Sequence, residues 1–438
     1  MAKDAATTDA LTELPERAAR GAEEYETVAK DETLPRAMSA SERWQRAADL
    51  LCAHRDVVDE RPAQGLPPRA LVTRGWASAL AALDDTTLDA LEIAGLEAPW
   101  PVDTPPSLSA LVEEARAICD LPSFRSPAMV ARAGPIPRVR ETPRKRAQIE
   151  AFVDVVASIS TEAARVLDVG AGHGHLTRAL AERLPPATPG RAVIGLERDP
   201  KLASRARSLS NGSATSFEVT DVIEDGLAAR SDDCIVGLHA CGELGDAMVS
   251  AAAQTGASLA LVGCCPQKRS TPARRALVRE RGDALDLGTR VLGLANLTAR
   301  DQGVEASRRE NLAARERRIA LHRLLEDEVG PLRFGAEMDG LNRRATHEAL
   351  PTLVQRAFAR RGRSAPTAAA IDRAAAWSAT QHALVRRLSL PRSMLARVIE
   401  VFVLVDRAVY LERHGKAVTT GALFPTSVSA RNLALLAR

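Results

Sequence analysis

Three glycines at alternate positions follow a short apolar run that ends in an aspartate. The stretch reads VLDVGAGHGHLTRAL, and its spacing is Asp168-x-Gly170-x-Gly172-x-Gly174. Glycines at this spacing leave backbone N–H groups bare, so that a ligand can approach the turn and the start of the next helix closely. An aspartate just before such a turn would repel a pyrophosphate, which argues against a dinucleotide. The pattern instead favours a cationic ligand that carries an α-amino group.

Two further acidic residues end later apolar runs of the same type. Glu197 ends AVIGLE and Asp221 ends TSFEVTD. A carboxylate at the end of a second strand can accept both hydroxyls of a ribose, and one at the end of a third strand can accept from an adenine amine. S-adenosylmethionine carries an ammonium, a sulfonium, a ribose and an adenine. We therefore predict that these residues and the glycine loop bind S-adenosylmethionine; the alternative is a non-binding domain in which the acids are ordinary loop residues.

The elements that must position these residues are predicted from the hydrophobic pattern. Five short apolar runs alternate with helical segments between residues 164 and 265, which indicates buried parallel strands in a doubly wound α/β sheet. KAVTTGALF and ARNLALLAR predict two closing strands after a long helical stretch. The predicted fold is a Rossmann-like, seven-stranded α/β sheet with a helical N-terminal domain and a helical insertion before the last sheet elements.

Changes in composition and pattern predict the domain boundaries. We expect an acidic tail over residues 1–38 and a helical N-terminal domain over 39–141. The α/β core is predicted over 142–265 and 391–438, and a basic helical insertion over 266–390.

Four soft side chains follow the fourth and fifth predicted strands. HACGELGD contains His239 and Cys241, and GCCPQKR contains Cys264 and Cys265. The carboxyl ends of parallel strands form the ligand edge of such a sheet, so we assign all four residues to the catalytic edge. The favoured interpretation is that His239 orients or deprotonates a methyl acceptor in a tight pocket shaped by the cysteines.

Three other interpretations of these residues stay open. The cysteines can simply pack in the core. Cys241 or Cys264 can attack a cytosine ring, although the sequence contexts of cytosine C5 methyltransferases are missing. The four side chains can bind zinc, but His-x-Cys and adjacent Cys-Cys are not usual zinc spacings, so no metal is predicted.

The motifs together resemble those of class I S-adenosylmethionine-dependent methyltransferases. LHACGELGD with VGCC is similar to a subgroup that includes methyltransferase-like protein 25, and a Cys-rich edge of this kind also occurs in related tRNA ribose methyltransferases. TPRKRAQIEAF resembles the basic segment of that subgroup, with Arg144 in place of the first lysine, and SARN resembles its Ser-Pro-Arg-Asn strand, with Ala430 in place of the proline. The resemblance implies the cofactor and the reaction, and leaves the acceptor unnamed.

Charge and composition bear on the acceptor and on the compartment. The 438 residues carry a formal net charge of only +3, but eleven arginines and two acidic residues lie between residues 343 and 397. This density slightly favours RNA as the acceptor, although aromatic residues for base stacking are scarce. Protein or small-molecule acceptors stay open, as does a non-catalytic RNA- or protein-binding module. A polar N-terminus without an apolar core segment predicts a cytoplasmic protein with reduced thiols.

Overall fold

The computed structural model describes residues 38–62, 66–124, 142–184, 190–210, 214–296, 305–333 and 335–438. Residues 1–37 of the predicted acidic tail lie outside the described residues, as do residues 125–141 of the predicted N-terminal domain.

Helices account for most of the described chain outside the sheet. In chain order they are α1 (Ala40–Ala53), α2 (Arg55–Asp59), α3 (Arg69–Thr73), α4 (Ala77–Ala81), α5 (Asp85–Ala94), α6 (Pro106–Cys119), α7 (Pro143–Ile159), α8 (His175–Arg183), α9 (Pro200–Leu209), α10 (Glu243–Thr255), α11 (Thr289–Leu292), α12 (Glu305–Val329), α13 (Leu350–Ala359) and α14 (Ala368–Arg413). Short 3-10 helices occupy Gly95–Glu97, Gly282–Leu285, Gly293–Asn296, Ala336–Met338 and Arg343–His347. Within the described ranges, we find no helix whose length and apolar character would let it cross a membrane.

The strands form one large sheet and one short pair. They are β1 (Arg165–Val169), β2 (Ala192–Glu197), β3 (Thr215–Val219), β4 (Asp233–Ala240), β5 (Ser258–Gly263), β6 (Ala273–Arg274), β7 (Leu287–Gly288), β8 (Val418–Ala422) and β9 (Leu433–Ala437). The large sheet has seven strands in the order β3-β2-β1-β4-β5-β9-β8. Strands β1 to β5 pair in parallel, and β9 and β8 complete the sheet in antiparallel fashion.

This topology confirms the predicted α/β class and the seven-stranded, Rossmann-like sheet. Each of the seven strands overlaps an apolar run that the sequence marks as a strand. The strand order reverses between β1 and β4, and in open α/β sheets a ligand crevice lies at the carboxyl ends of the strands at such a point. The short pair of β6 and β7 was not predicted.

Helix α14 joins the N-terminal helices to the sheet. It is 46 residues long and packs against α1, α6 and the closing strands. One continuous apolar cluster contains Trp44 of α1, Leu111 of α6, Leu261 of β5 and Phe402 of α14. The boundary that the sequence suggests at residue 390 therefore falls inside a single helix, beside the buried Pro391. Proline removes one backbone donor from a helix, but buried side chains on both sides hold α14 together here.

The residues of the predicted insertion have a smaller apolar cluster of their own. Its members include Leu321 and Leu325 of α12, Leu353 and Phe358 of α13, and Ile371 of α14. The first turns of α14 thus pack with this cluster, whereas its later turns belong to the main core.

Candidate functional site

The loop between β1 and α8 holds three glycines in a conformation that other residues avoid. Gly170, Gly172 and Gly174 have φ angles of 76°, 59° and 71°, in the left-handed region where a Cβ atom is strained. A Cβ on Gly174 would lie 2.5 Å from the ring of Phe217, whereas one on Gly172 would meet no atom within 4 Å. The loop is therefore packed tightly at Gly174 and open at Gly172.

Asp168, near the end of β1, is buried next to this loop. It is 2 % exposed, and its Oδ2 accepts a hydrogen bond from the Thr177 hydroxyl of α8 at 2.6 Å. Burial raises the pKa of Asp168 to about 6, and the hydrogen bonds from Thr177 oppose part of that rise. A carboxyl group whose ionisation costs free energy of folding is typical of functional positions.

Two carboxylates lie at the carboxyl ends of neighbouring strands: Glu197 is the last residue of β2, and Asp221 follows β3. Glu197 accepts the N–H of Gly172 at 2.8 Å on Oε2 and the N–H of Asp199 at 3.0 Å on Oε1. Asp221 accepts the N–H of Ile223 at 3.0 Å on Oδ1. Each carboxylate oxygen has more than one lone pair, so both side chains retain capacity for a hydroxyl or an amine of a ligand.

A cavity of about 560 Å³ lies at the ends of these strands. Five of the predicted site residues are part of its wall: Gly170, Glu197, Asp221, His239 and Cys241. The other five lie outside the wall: Asp168, Gly172, Gly174, Cys264 and Cys265. The size falls in the range of roughly 300–1,000 Å³ that encloses a small organic ligand or a cofactor. The structure thus brings half of the predicted residues around one space and places the rest beside it.

Sequence reasoning missed much of the remaining wall. Its apolar part includes Leu196, Val222, Leu238 and Leu244. Leu196 precedes Glu197, and Val222 follows Asp221. Their position next to the two acidic residues is the feature of the sequence from which these wall residues could have been predicted. The charged part includes Arg198 and Lys268, which are exposed at the cavity.

His239 occupies a β-bulge near the end of β4, where the pairing with β5 shifts register. Its φ is 67°, and such a conformation in a residue other than glycine marks stored strain. Nε2 lies 3.1 Å from Oε1 of Gln148, a buried residue of α7. Because an amide oxygen only accepts, Nε2 carries the proton and Nδ1 keeps a lone pair. Burial, assisted by the charge of Arg431, lowers the pKa of His239 to about 4, so the ring is neutral at pH 7.

The thiols of Cys241, Cys264 and Cys265 converge. Their sulfur atoms all lie within 4.8 Å of one another. Because β5 ends at Gly263, the two adjacent cysteines lie in the following turn, where side chains need not alternate between faces. The Sγ atoms of Cys241 and Cys264 lie 3.2 and 3.4 Å from the carbonyl oxygen of His239 and 2.6 Å from each other. The imidazole of His239, by contrast, bonds to Gln148. The three thiols therefore meet the backbone carbonyl of His239 and not its ring.

Arg431 closes this thiol cluster from the opposite side. Its Nη1 donates to Sγ of Cys265 at 2.8 Å, and its Nη2 donates to Asn296. Hydrogen bonds from Cys241 and Cys264, together with the charge of Arg431, lower the pKa of the Cys265 thiol. Hydrogen bonding with Cys241 and Cys265, followed by burial, raises the pKa of the Cys264 thiol.

Many arginines of the predicted RNA-binding stretch are engaged within the fold. Five form ion pairs with carboxylates of the same chain: Arg356 with Glu348, Arg363 with Glu328, Arg386 with Glu92, Arg387 with Asp85, and Arg397 with Glu400. Arg344, Arg360 and Arg373 are exposed. Contact of this stretch with RNA stays a prediction.

Residues 144–271 match the sequence model of a family described as a methyltransferase domain. This part of the chain is similar to methyltransferases. The matched segment runs from α7 through β5 into the following turn and contains all ten predicted site residues. With the seven-stranded order, it makes the fold a Rossmann-like methyltransferase fold. The N-terminal helices and the residues after 271 lie outside the match, so the similarity applies to β1 to β5 and the helices between them.

Proposed function

We propose that this protein is an S-adenosylmethionine-dependent methyltransferase. The observation that carries the proposal is the cavity at the ends of β1, β2, β3 and β4, because it combines a bare glycine backbone with two carboxylates inside the segment that is similar to methyltransferases. S-adenosylmethionine, when bound, supplies a methyl group on a sulfonium that is already a good leaving group. Gly170 in the cavity wall and the volume of the cavity fit a ligand of this kind.

Each carboxylate has a role in this proposal. Glu197 is held by two backbone N–H groups and accepts the ribose hydroxyls with its remaining lone pairs. Asp221 accepts from the adenine amine, and the apolar side chains of Leu196 and Val222 flank the base. Asp168 contributes negative charge beside the glycine loop, which favours a ligand that carries an ammonium.

His239 is the residue that we propose for handling the acceptor. It is part of the cavity wall, and Gln148 fixes its proton on Nε2. A neutral ring with a lone pair on Nδ1 can accept a hydrogen bond from a hydroxyl or an amine of the acceptor and so orient it. The rest of the catalytic effect comes from holding donor and acceptor in line, which is a matter of proximity and orientation.

For the acceptor we propose RNA. Arg198 and Lys268 are exposed at the cavity, and Arg275 is exposed shortly beyond Lys268. Cations beside a methyl-transfer site suit an acceptor whose backbone carries phosphates. The exposed arginines of the 343–397 stretch extend the same interaction, whereas its ion-paired arginines contribute little free charge.

The test is transfer of a labelled methyl group from S-adenosylmethionine to fractionated cell extracts. Wild-type protein is compared with Glu197→Ala and with Glu218→Ala, a matched control on β3 whose side chain is exposed and outside the cavity wall. We expect label in the RNA fraction for the wild type and the control, and a loss of at least tenfold for Glu197→Ala.

The other outcomes separate the two parts of the proposal. Label that appears only in the protein or small-molecule fraction would overturn RNA as the acceptor and leave the methyltransferase proposal standing. RNA binding without transfer, together with no binding of S-adenosylhomocysteine, would favour a non-catalytic binding module.

A further inference from the structure

The thiol cluster of Cys241, Cys264 and Cys265 is not needed to bind S-adenosylmethionine or to orient an acceptor through His239. Only Cys241 is part of the cavity wall. The other two thiols approach it from the turn after β5, and all three sulfur atoms lie within 4.8 Å of one another. We propose that this cluster is a metal site that binds one soft divalent cation, zinc, through the three thiolates.

The distances fit such a site. Zinc in proteins is tetrahedral, with Zn–S bonds of about 2.3 Å, and tetrahedral geometry then places sulfur ligands roughly 3.8 Å apart. The three sulfur atoms all lie within 4.8 Å of one another, and those of Cys241 and Cys264 are 2.6 Å apart. Side-chain rotations that separate this pair by roughly 1 Å bring the three sulfur atoms to that arrangement. The objection that adjacent cysteines are unusual zinc ligands does not apply here, because both cysteines lie beyond the end of β5. A hydrogen bond from Lys268 N–H to the carbonyl of Cys265 at 3.0 Å then turns the chain at Cys265.

The groups around the thiol cluster favour negatively charged sulfur ligands. Three thiolates and a divalent cation carry a net charge of −1, and the guanidinium of Arg431, which donates to Sγ of Cys265 at 2.8 Å, neutralises it. Hydrogen bonds from an outer group to a metal ligand hold the ligand in place and tune the metal. Arg431 is half-buried, and its Nε is inaccessible without a hydrogen-bond partner among the described residues, while Nη1 is directed at the thiol cluster.

The ligand count indicates what kind of site this is. Three protein ligands leave one of the four tetrahedral positions to an exogenous group, which distinguishes catalytic from structural zinc sites. Cys241 belongs to the cavity wall, so the cation would lie at the edge of the space that we assign to the cofactor and acceptor. The metal site stands independently of the proposed function, since it rests on the sulfur atoms and Arg431 alone.

The experiment is a titration of reduced, metal-free full-length protein with Co²⁺, followed by elemental analysis of protein purified with Zn²⁺. We expect thiolate-to-cobalt charge-transfer absorption that saturates at one Co²⁺ per chain, and about one zinc per chain. Cys241→Ser, Cys264→Ser and Cys265→Ser should each abolish or strongly reduce the absorption. Cys52→Ser and Cys119→Ser are matched controls outside the cluster and should leave it unchanged.

A second measurement keeps the proposal testable where a serine variant fails to fold. In wild-type protein, Zn²⁺ should slow alkylation of Cys241, Cys264 and Cys265, as read by mass spectrometry, while the rate at Cys52 stays the same. Absence of a charge-transfer band at stoichiometric Co²⁺ would overturn the proposal. So would a Cys241–Cys264 disulfide in protein purified under reducing conditions, or alkylation rates that Zn²⁺ does not change.

Discussion

Two residues of the proposed site have a conformation or an ionisation state that lowers the stability of the fold, which a purely structural role does not require. Asp168 is buried with a raised pKa, and His239 holds a left-handed φ at a β-bulge. Strain and unfavourable ionisation of this kind concentrate where a protein acts on a ligand. The sequence located both residues, but neither the bulge nor the depth of burial follows from their neighbours in the chain. The partnership of His239 with Gln148 was also unpredictable, because it joins residues on separate elements.

At the residue scale, we predict that Asp168→Asn stabilises the protein at neutral pH. The pKa of Asp168 is about 6 in the folded state, against an ordinary value of 3.8. The folded state therefore binds more protons than the unfolded state between these values, and the stability that this group contributes at low pH is lost as the pH rises through 6. The cost above pH 6 is up to about 3 kcal/mol, and the amide avoids it.

The measurement is urea unfolding of wild type and variant between pH 4 and pH 8. The advantage of Asp168→Asn should grow as the pH rises from 4 and level off above 6, while the variant binds S-adenosylhomocysteine more weakly. A stability difference that does not change with pH would contradict this account of Asp168.

At the scale of elements, the strands were the most predictable part of the fold. Parallel strands buried on both faces are short, nearly continuous apolar runs, and each such run in this chain became a strand. Helix α14 was not predictable as one element, because a proline at position 391 suggests a break and only tertiary packing keeps the helix continuous. The sequence placed the three cysteines at one edge of the sheet, but not which sulfur atoms meet. That depends on where β5 ends, and the end of a strand is set by its neighbours in the sheet.

Alanine substitutions at two glycines of the loop between β1 and α8 should lower the unfolding free energy by different amounts. Gly172→Ala places a Cβ in open space at a positive φ and should cost about 1–2 kcal/mol of unfolding free energy. Gly174→Ala has the same backbone strain and also brings a Cβ to 2.5 Å from the Phe217 ring, which should cost at least a further 1 kcal/mol or so. Urea unfolding of the two variants measures the difference. Equal losses would show that Phe217 does not pack against Gly174 as described.

At the scale of the whole molecule, one buried ion network ties the N-terminal helices to the site. Asp406 of α14 is fully buried and accepts from Trp44 of α1 at 3.3 Å and from the N–H groups of Leu277 and Val278 at 2.8 and 3.0 Å. Arg274 pairs with Asp406 at 2.8 Å and with Asp246 at 3.1 Å. The arginines around Asp246 hold the pKa of its carboxyl well below the usual range. The N-terminal helices therefore contribute to the same core that supports the turn after β5, although the sequence pattern separates them.

Removal of the Asp406 charge should destabilise the whole molecule. Asp406→Asn leaves Arg274 with one buried carboxylate fewer, and breaking a buried ion pair costs about 3–5 kcal/mol. Asp372→Asn, on the exposed side of the same helix, is the matched control and should change stability by less than about 0.5 kcal/mol. Urea unfolding followed by tryptophan fluorescence provides the comparison. A loss for Asp406→Asn as small as that of the control would refute the bracing role of the network.

The central claim is that the cavity at the ends of β1 to β4 binds S-adenosylmethionine. Its most direct test is titration calorimetry of S-adenosylhomocysteine into wild type, Glu197→Ala and Glu218→Ala. Wild type and Glu218→Ala should bind one ligand per chain with equal affinity. Glu197→Ala should bind at least tenfold more weakly, because hydrogen bonds to a charged group contribute about 1.5–3 kcal/mol. Equal binding by all three proteins, or no binding by the wild type, would contradict the proposed cofactor site.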